Sequence, residues 1–520
     1  MTYRVCHVNK KTGVTYVYEC VATWNKEKNQ SRNKQVCIGK LDPVSGKFIP
    51  SKRLNPKQAA ARDPTVTATA EVVGPSMILD AITDRIGLGS LLRSCFPQEH
   101  HQILEMAYYL ASQGGPLSHC GTWCKSHAHF IGESLTSQRI SEILNSISID
   151  KKQTFLHAWM NKILEDDYLC YDITSISSYS DLNEYIKYGH NRDLEKLPQL
   201  NLALLLGQNK GLPVYFQRHP GNITDVTTLH NHLKTFKALE IKALHYVLDK
   251  GFYSQKNVDD LFASRDKFIL SVPLNNKWVQ AAIDDIYTTI QGPQGYKKID
   301  NEILYAHSRI YSWGPKKRRC YLHIYYNAHI RAAAIDQFNE ELLVYKEELE
   351  SGKLIREHQE AYNAFFVTKT TPKRGMKVAY NTEAVNQYVN RYLGFQVILT
   401  NSVKDAVQAI QIYRDKDAVE KGFDDLKNQL DMKRLRMHSS ATVDGRLFVQ
   451  FIALICMSAL RKEMRKSDLI KRYTVRELLQ EMETLTKVKY SGKYGHILTE
   501  VTKSQREILN CLNIELPSKT

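Results

Sequence analysis

The opening residues, MTYRVCHVNKKTG, lack an apolar stretch long enough for a secretory leader, which sets aside export as the expectation. The most hydrophobic run, LFVQFIALICMSAL at 447–460, is short for a bilayer span and contains Gln450, so it reads as a buried core helix. Ten cysteines in 520 residues are too sparse for a disulfide framework and read as the reduced thiols of a cytosol. No internal repeat or low-complexity segment is evident. Acidic residues are in deficit, 55 against 71 basic, leaving a net charge of +16. That excess favours a polyanionic partner, though it speaks about association and not about fold.

Hydrophobic residues make up 43% and charged residues 24%, the balance of a soluble globular chain. The length exceeds one core, so roughly three or four domains are expected. Alternating apolar and polar residues with turn-like KKTG and DPVSGK predict a small β-meander in an N-terminal β-rich domain, 1–55. After a polar linker, residues 75–165 carry helical spacing, with Met77, Ile78, Ala81, Ile82 and Ile86 on one helix and Ile103, Leu104, Ala107, Tyr108 and Leu110 on another. There SLTSQRISEILNSIS resembles the second half of a helix-turn-helix, with Thr136 or Ser137 as cap and Gln138, Arg139 and Glu142 outward. The plainer reading is a capped surface helix. Strands are predicted at 167–177, 199–207, 212–217, 243–249 and 267–272, and helices near 225–238 and 254–264, which together suggest the first part of an α/β nuclease core over 166–272. A β-rich inserted domain, 273–395, follows. The core resumes over 396–440, and 441–520 is a helical C-terminal region.

Three acids stand out. Asp172 lies in DYLCYDITSIS, a strand apolar on both faces and therefore central. Asp249 ends the apolar run ALHYVLDKGF, where ligands gather in open α/β sheets. Each taken alone reads equally as an ordinary hydrogen-bonded or turn aspartate. Glu420 sits in IYRDKDAVEKGFDDLK. At roughly 100° per residue, Tyr413, Lys416, Glu420 and Lys427 share a stripe about 60° wide, a phenol, two cations and a carboxylate on one helix face. Such a face suits a metal–phosphate site, or else is a solvated stripe with Lys416–Glu420 pairing. Asp417 and Asp424 flank the stripe and stay open as the third acid. Three converging carboxylates make a hard oxygen cage for Mg²⁺ or Mn²⁺.

The order YDITS…DKGFYS…Y-x2-K-x3-E-x6-K resembles bacterial insertion-sequence transposases of the DDE type, in the branch with a Tyr-Arg-Glu-Lys signature around the third acid. The resemblance extends to YVYECVATWNKEKNQSRNKQVCIGKLDPVSGKFIP, YGHNRDLEKLPQLNLALLLG, HPGNITD and TKSQREILNCLNIELP. One departure is clear: Lys416 stands at the signature's arginine, with Arg414 two residues earlier, and lysine lacks the bidentate fork. The resemblance implies an RNase H-like core interrupted by the β-rich insertion, with Asp172, Asp249 and Glu420 as catalytic residues holding two Mg²⁺ (or Mn²⁺) ions. It implies Tyr413, Lys416 and Lys427 on DNA phosphates, and cut-and-paste transposition by Mg-dependent end cleavage and strand transfer. The expected partners are double-stranded DNA with terminal inverted repeats, read by the N-terminal helical region, and target DNA, within a homodimeric synaptic complex in the bacterial cytoplasm at the nucleoid. Arg414, Arg139, Gln138, the basic cluster Lys316, Lys317, Arg318 and Arg319, and Trp313 beside it complete the candidate DNA contacts; Trp313 reads either as a base-stacking platform or, no less well, as a core tryptophan. A catalytically inactive transposon-derived DNA-binding protein, and a metal-dependent nuclease without joining activity, are the alternatives. HCGTWCKSHAH holds His119, Cys120, Cys124, His127 and His129, zinc-ligand types without a standard finger spacing.

Overall fold

The computed structural model describes residues 2–25, 30–51, 68–128, 135–164, 167–179, 183–193, 195–241, 243–299, 302–371, 375–435, 439–490 and 495–516. His129 and most of the linker lie outside these. The chain divides into two compact units, Met1–Ala70 with Val488–Ile497, and Glu71–Lys487 with Leu498–Thr520. In the first, the alternating N-terminal sequence forms an antiparallel meander of Thr2–Val8, Thr15–Asn25, Gln30–Leu41 and Phe48–Pro50, in that order. Gly39 is needed there, because a Cβ would lie 2.3 Å from the Ile49 carbonyl oxygen.

The second unit is built on a ten-stranded sheet. Its centre is Tyr168–Ser178 (YLCYDITSISS), which pairs in parallel with His245–Leu248, itself parallel to Lys267–Val272. On the other side Gln199–Gly207 and Leu212–Pro220 follow antiparallel. These strands are near-continuous apolar runs because both faces are covered. The connections supply the cover: Asp225–Ala238 leads from Leu212–Pro220 into His245–Leu248, Gln255–Ala263 joins His245–Leu248 to Lys267–Val272, and Asp417–Asp424 packs across Tyr168–Ser178 and Gln199–Gly207. Gly422 makes that last contact close, its position lying 3.3 Å from Leu204 for an added Cβ.

The segment expected as one inserted β-rich domain is divided between two surroundings. Tyr296–Ile299, Glu302–Trp313 and Arg318–Tyr326 continue the central sheet antiparallel through Phe395–Thr400 to Lys267–Val272. Between them, the long helix Ala328–Ser351, a short hairpin and Thr382–Arg391 enclose a separate small core that includes Phe338, Leu342, Tyr362 and Phe365. Strand-edge backbone left unpaired at Lys267–Val272 favours this continuation, since the free N–H and C=O groups need partners.

The helical region before the sheet surrounds Ser440–Lys466, which contains the apolar run 447–460. Among the described residues this is the one helix long and apolar enough to cross a membrane, and its apolar window is wholly buried within the protein. It packs on His100–Ser112 and Ser137–Ser146. Gly445 permits the second crossing: a Cβ there would stand 2.1 Å from the Leu144 carbonyl oxygen. Gly445→Ala should therefore push two helices apart and lower stability by about 1–3 kcal/mol, read as a reduced denaturation midpoint at unchanged slope. An unchanged midpoint would show that the crossing does not need the glycine.

Candidate active site

The parallel register sets Tyr171 opposite Leu248, so Asp172 and Asp249 follow at one level on neighbouring chains, about 4.8 Å apart across the sheet. The Asp172 carboxylate accepts the Ile173 N–H at 2.7 Å. Asp249 ends its strand and caps the Lys250–Phe252 turn, accepting the Lys250 N–H at 2.7 Å. The Tyr413 hydroxyl donates to Asp249 Oδ1 at 2.7 Å, and Lys416 Nζ lies 3.2 Å from Oδ2. The same ammonium stands 3.9 Å from Glu420 Oε1. Acids from distant parts of the chain thus face one lysine.

The segment that brings them there is not one continuous helix, as the even angular stripe assumed. Ala406–Arg414 ends in a turn, Asp417–Asp424 starts after Lys416, and Asp425–Gln429 widens into a π-helical turn. Tyr325 O–H donates to the Ala406 carbonyl at 2.7 Å and Gln208 Nε2 to the Ile412 carbonyl at 2.5 Å, fixing the first helix at both ends. The break aims Lys416 back over the Tyr413 ring, 5.2 Å from its centroid. The wider turn shifts the angular phase of everything after it. Lys427 consequently meets Asp193, at 2.7 Å, and not the three acids.

Burial pushes the Asp172 carboxyl up to about 6, and the charge of Asp249 adds to that rise against the opposing Ile173 N–H, Arg192 and Lys416. Burial also acts to raise Asp249, but Lys416, Tyr413 and the Lys250 N–H outweigh it and hold the group below its ordinary value. Lys416 is raised: burial opposes its charge, and Asp249, Asp172 and Glu420 overcome the opposition. Asp172 is therefore the under-compensated member. Among the described residues no three acids surround a common point. The donor set is nevertheless one a hard divalent cation fits: a desolvated carboxylate with a raised pKa beside a second carboxylate, and a third that faces the Lys416 ammonium.

A second ion pair borders Asp172. Arg192 Nη2 lies 2.6 Å from both oxygens of Asp225, the first residue of its helix. The loop carrying Arg192 is fastened to the central strand: Asn191 donates to Ser177 Oγ at 3.0 Å and accepts the Asp193 N–H at 2.8 Å. Across the loop, Arg434 bonds Glu195 at 2.7 Å. Sequence reasoning gives Asp225 no role. The signal available was its place in HPGNITD, where Thr224 caps the helix by accepting the Thr227 N–H and so sets an acid at its first turn.

The remaining candidates lie apart from the acids. Arg414 pairs with Glu302 at 2.8 Å. Arg139 and Gln138 are on the exposed face of Ser137–Ser146, both bonded to Glu142 at 3.2 Å, and Thr136 is the cap. Lys316 and Lys317 are exposed at the hairpin between Glu302–Trp313 and Arg318–Tyr326, and Arg319 covers the Tyr321 ring. Arg318 turns to Asp259, at 3.3 Å. Of the two readings of Trp313 the structure has the core one: it is 5% exposed, its indole N–H donates to Asp259 at 3.1 Å and its ring meets Tyr253 and Trp278 edge-on. Strand alternation turns it inward. In HCGTWCKSHAH, Cys120 and Cys124 are buried with sulfurs 3.8 Å apart, and His127 stacks on Trp123 and contacts Glu483 at 2.7 Å. His119 is exposed, and among the described residues no metal-binding group forms there.

The raised Asp172 sets a pH-dependent expectation. Its folded value, about 6, lies above the ordinary 3.8, so ionising it costs the folded chain increasingly as pH rises between those values. Without divalent cation, Asp172→Asn should stabilise the protein by about 1–3 kcal/mol above that window and by nothing below it. Urea titrations at several pH values test this, and a gain that persists at low pH would contradict it.

Comparison with known proteins follows the same residues. No curated protein matches the chain. Among solved structures it is similar to a piggyBac transposase synaptic complex with hairpin DNA, at 8% identity over 79% of this chain and 77% of that one. The TM-score of 0.34 is too low to carry any part of the assignment. The family described as the transposase DDE domain matches residues 164–456, more than half the chain and a stretch containing Asp172, Asp249 and Glu420. The chain belongs to the DDE transposase family.

Proposed function

We propose that this chain is a cut-and-paste transposase of a bacterial insertion sequence, of the Tyr-Arg-Glu-Lys branch, working on the DNA of the nucleoid. Its central five strands, antiparallel on one side and parallel on the other, support an RNase H-like core. The observation that carries the reading is Lys416 standing between Asp249 and Glu420, with the buried Asp172 beside Asp249 on the neighbouring strand. Asp172, Asp249 and Glu420 would hold two Mg²⁺ or Mn²⁺ ions, which when bound activate a nucleophilic oxygen and stabilise the leaving one. Tyr413 keeps Asp249 oriented by its hydrogen bond. Lys416 would exchange carboxylate for phosphate when DNA enters, leaving Asp249 and Glu420 to the cation. Arg192, held by Asp225, faces the same pocket with a planar donor for a phosphate oxygen. Because only the attacking hydroxyl differs between nicking and joining, one site performs both.

The helical region with Gln138 and Arg139 would read the terminal inverted repeats, and a homodimer would hold two ends. Lys427, Arg414 and the basic hairpin Lys316–Arg319 would contact backbone farther out, once their acidic partners yield to phosphate. Asp172→Asn, Asp249→Asn and Glu420→Gln should each reduce Mg²⁺-dependent cleavage of end-containing DNA by roughly 10²–10³-fold or more while leaving binding intact. Three variants that cut like the wild type would remove the assignment. Wild-type cutting without strand-transfer product would instead indicate a nuclease, and binding without cutting an inactive derivative.

A further inference from the structure

Beside the third acid, on the side away from Lys416, lies a recess of about 220 Å³ whose walls carry Lys210, Lys421, Arg461, Lys462, Arg465 and Lys466. We propose that it seats a backbone phosphate of the DNA strand being cut, several nucleotides from the scissile bond, and reads no base. This rests on the function proposed above and gives that site a second, sequence-neutral grip.

The cations reach the recess from three places: the turn after Gln199–Gly207, the helix Asp417–Asp424, and the end of Ser440–Lys466. A favourable helix dipole explains Arg465 and Lys466 in the last turn. It does not explain Lys210 and Lys421 converging on the same concavity. Nearby acids neutralise only part of the charge. Asp425, 1% exposed, takes Arg461 at 2.5 Å and Lys421 at 3.9 Å; Asp424 also takes Lys421, and Glu463 takes Lys466 at 2.7 Å. Among the described residues Lys462 and Arg465 have no acidic partner. Like charges gathered in a concave wall repel unless an anion enters, and such a wall raises local anion concentration.

The chemistry of the lining selects a phosphodiester. No aromatic side chain lines the recess, so nothing there stacks on a base, and lysine and arginine tips reading phosphate oxygens position a strand without sensing sequence. Its location fixes the distance. Asp172 pairs with Leu204; the recess is lined by Leu206, two residues further on, and Gln208, just past the end of that strand, about 7–14 Å along. At roughly 3.4 Å per nucleotide that is about two to four nucleotides from the cut. Lys421, next to Glu420 on the helix Asp417–Asp424, ties the recess to the element that carries the third acid.

The test compares wild type with Lys462→Gln/Arg465→Gln, matched for thermal stability, on end-containing duplexes carrying one neutral methylphosphonate at a time. For the wild type, a neutral linkage about two to four nucleotides from the cut on one side should weaken binding severalfold. In the double variant that position should lose its effect, and the salt dependence of binding should flatten by about two in log–log slope. An unchanged slope and interference pattern would overturn the proposal. So would saturable binding of inorganic phosphate, lost in the variant, with DNA binding unaltered. Failure of the wild type to cleave any end-containing DNA would count against the proposed function instead, since the interference is read from binding.

Discussion

Two carboxylates set side by side in the middle of a sheet are the constraint around which the second unit is organised. Neighbouring parallel strands force Asp172 and Asp249 together, and burial plus mutual repulsion makes their joint ionisation unfavourable. Asp249 is relieved by Tyr413 and Lys416; Asp172 keeps a residual deficit of positive charge. An active site for metal-assisted phosphoryl transfer needs such a deficit, because a fully compensated pair would have no affinity left for a cation.

The surrounding structure holds that arrangement in tension. The helix Ala406–Arg414 is tied at both ends to carbonyl acceptors, so Tyr413 cannot drift from Asp249. The turn after Arg414 then releases Lys416 from the helical path and returns it to the acids. On the opposite flank, the loop bearing Arg192 is bolted to the central strand and steered by Asp225. Several of the chain's cations are engaged by single acidic residues at the rim: Lys427 by Asp193, Arg434 by Glu195, Arg414 by Glu302.

Most of the sheet was legible from local pattern. The strands at Tyr168–Ser178, Gln199–Gly207 and Lys267–Val272 announce themselves as short, largely apolar runs, and the Thr136 cap as a threonine before a helical stripe. What escaped depended on partners remote in sequence. Trp313 beside a basic cluster reads either way until its strand is placed in the sheet, where alternation points it inward against Trp278. The angular stripe joining Glu420 to Lys427 fails because the helix breaks at Lys416 and widens after Asp424.

By itself the sequence determined the acids, the strands that carry two of them, the basic excess and the buried character of the 447–460 run, since each follows from residue type and periodicity within a short window. Only the tertiary structure decided that Lys416 stands between Asp249 and Glu420, that Arg192 is steered by Asp225, that the 296–326 strands prolong the central sheet, and that six cations share one recess. Those are questions of register, helix phase and three-dimensional proximity between segments up to hundreds of residues apart, and no local pattern encodes the distance between two distant side chains.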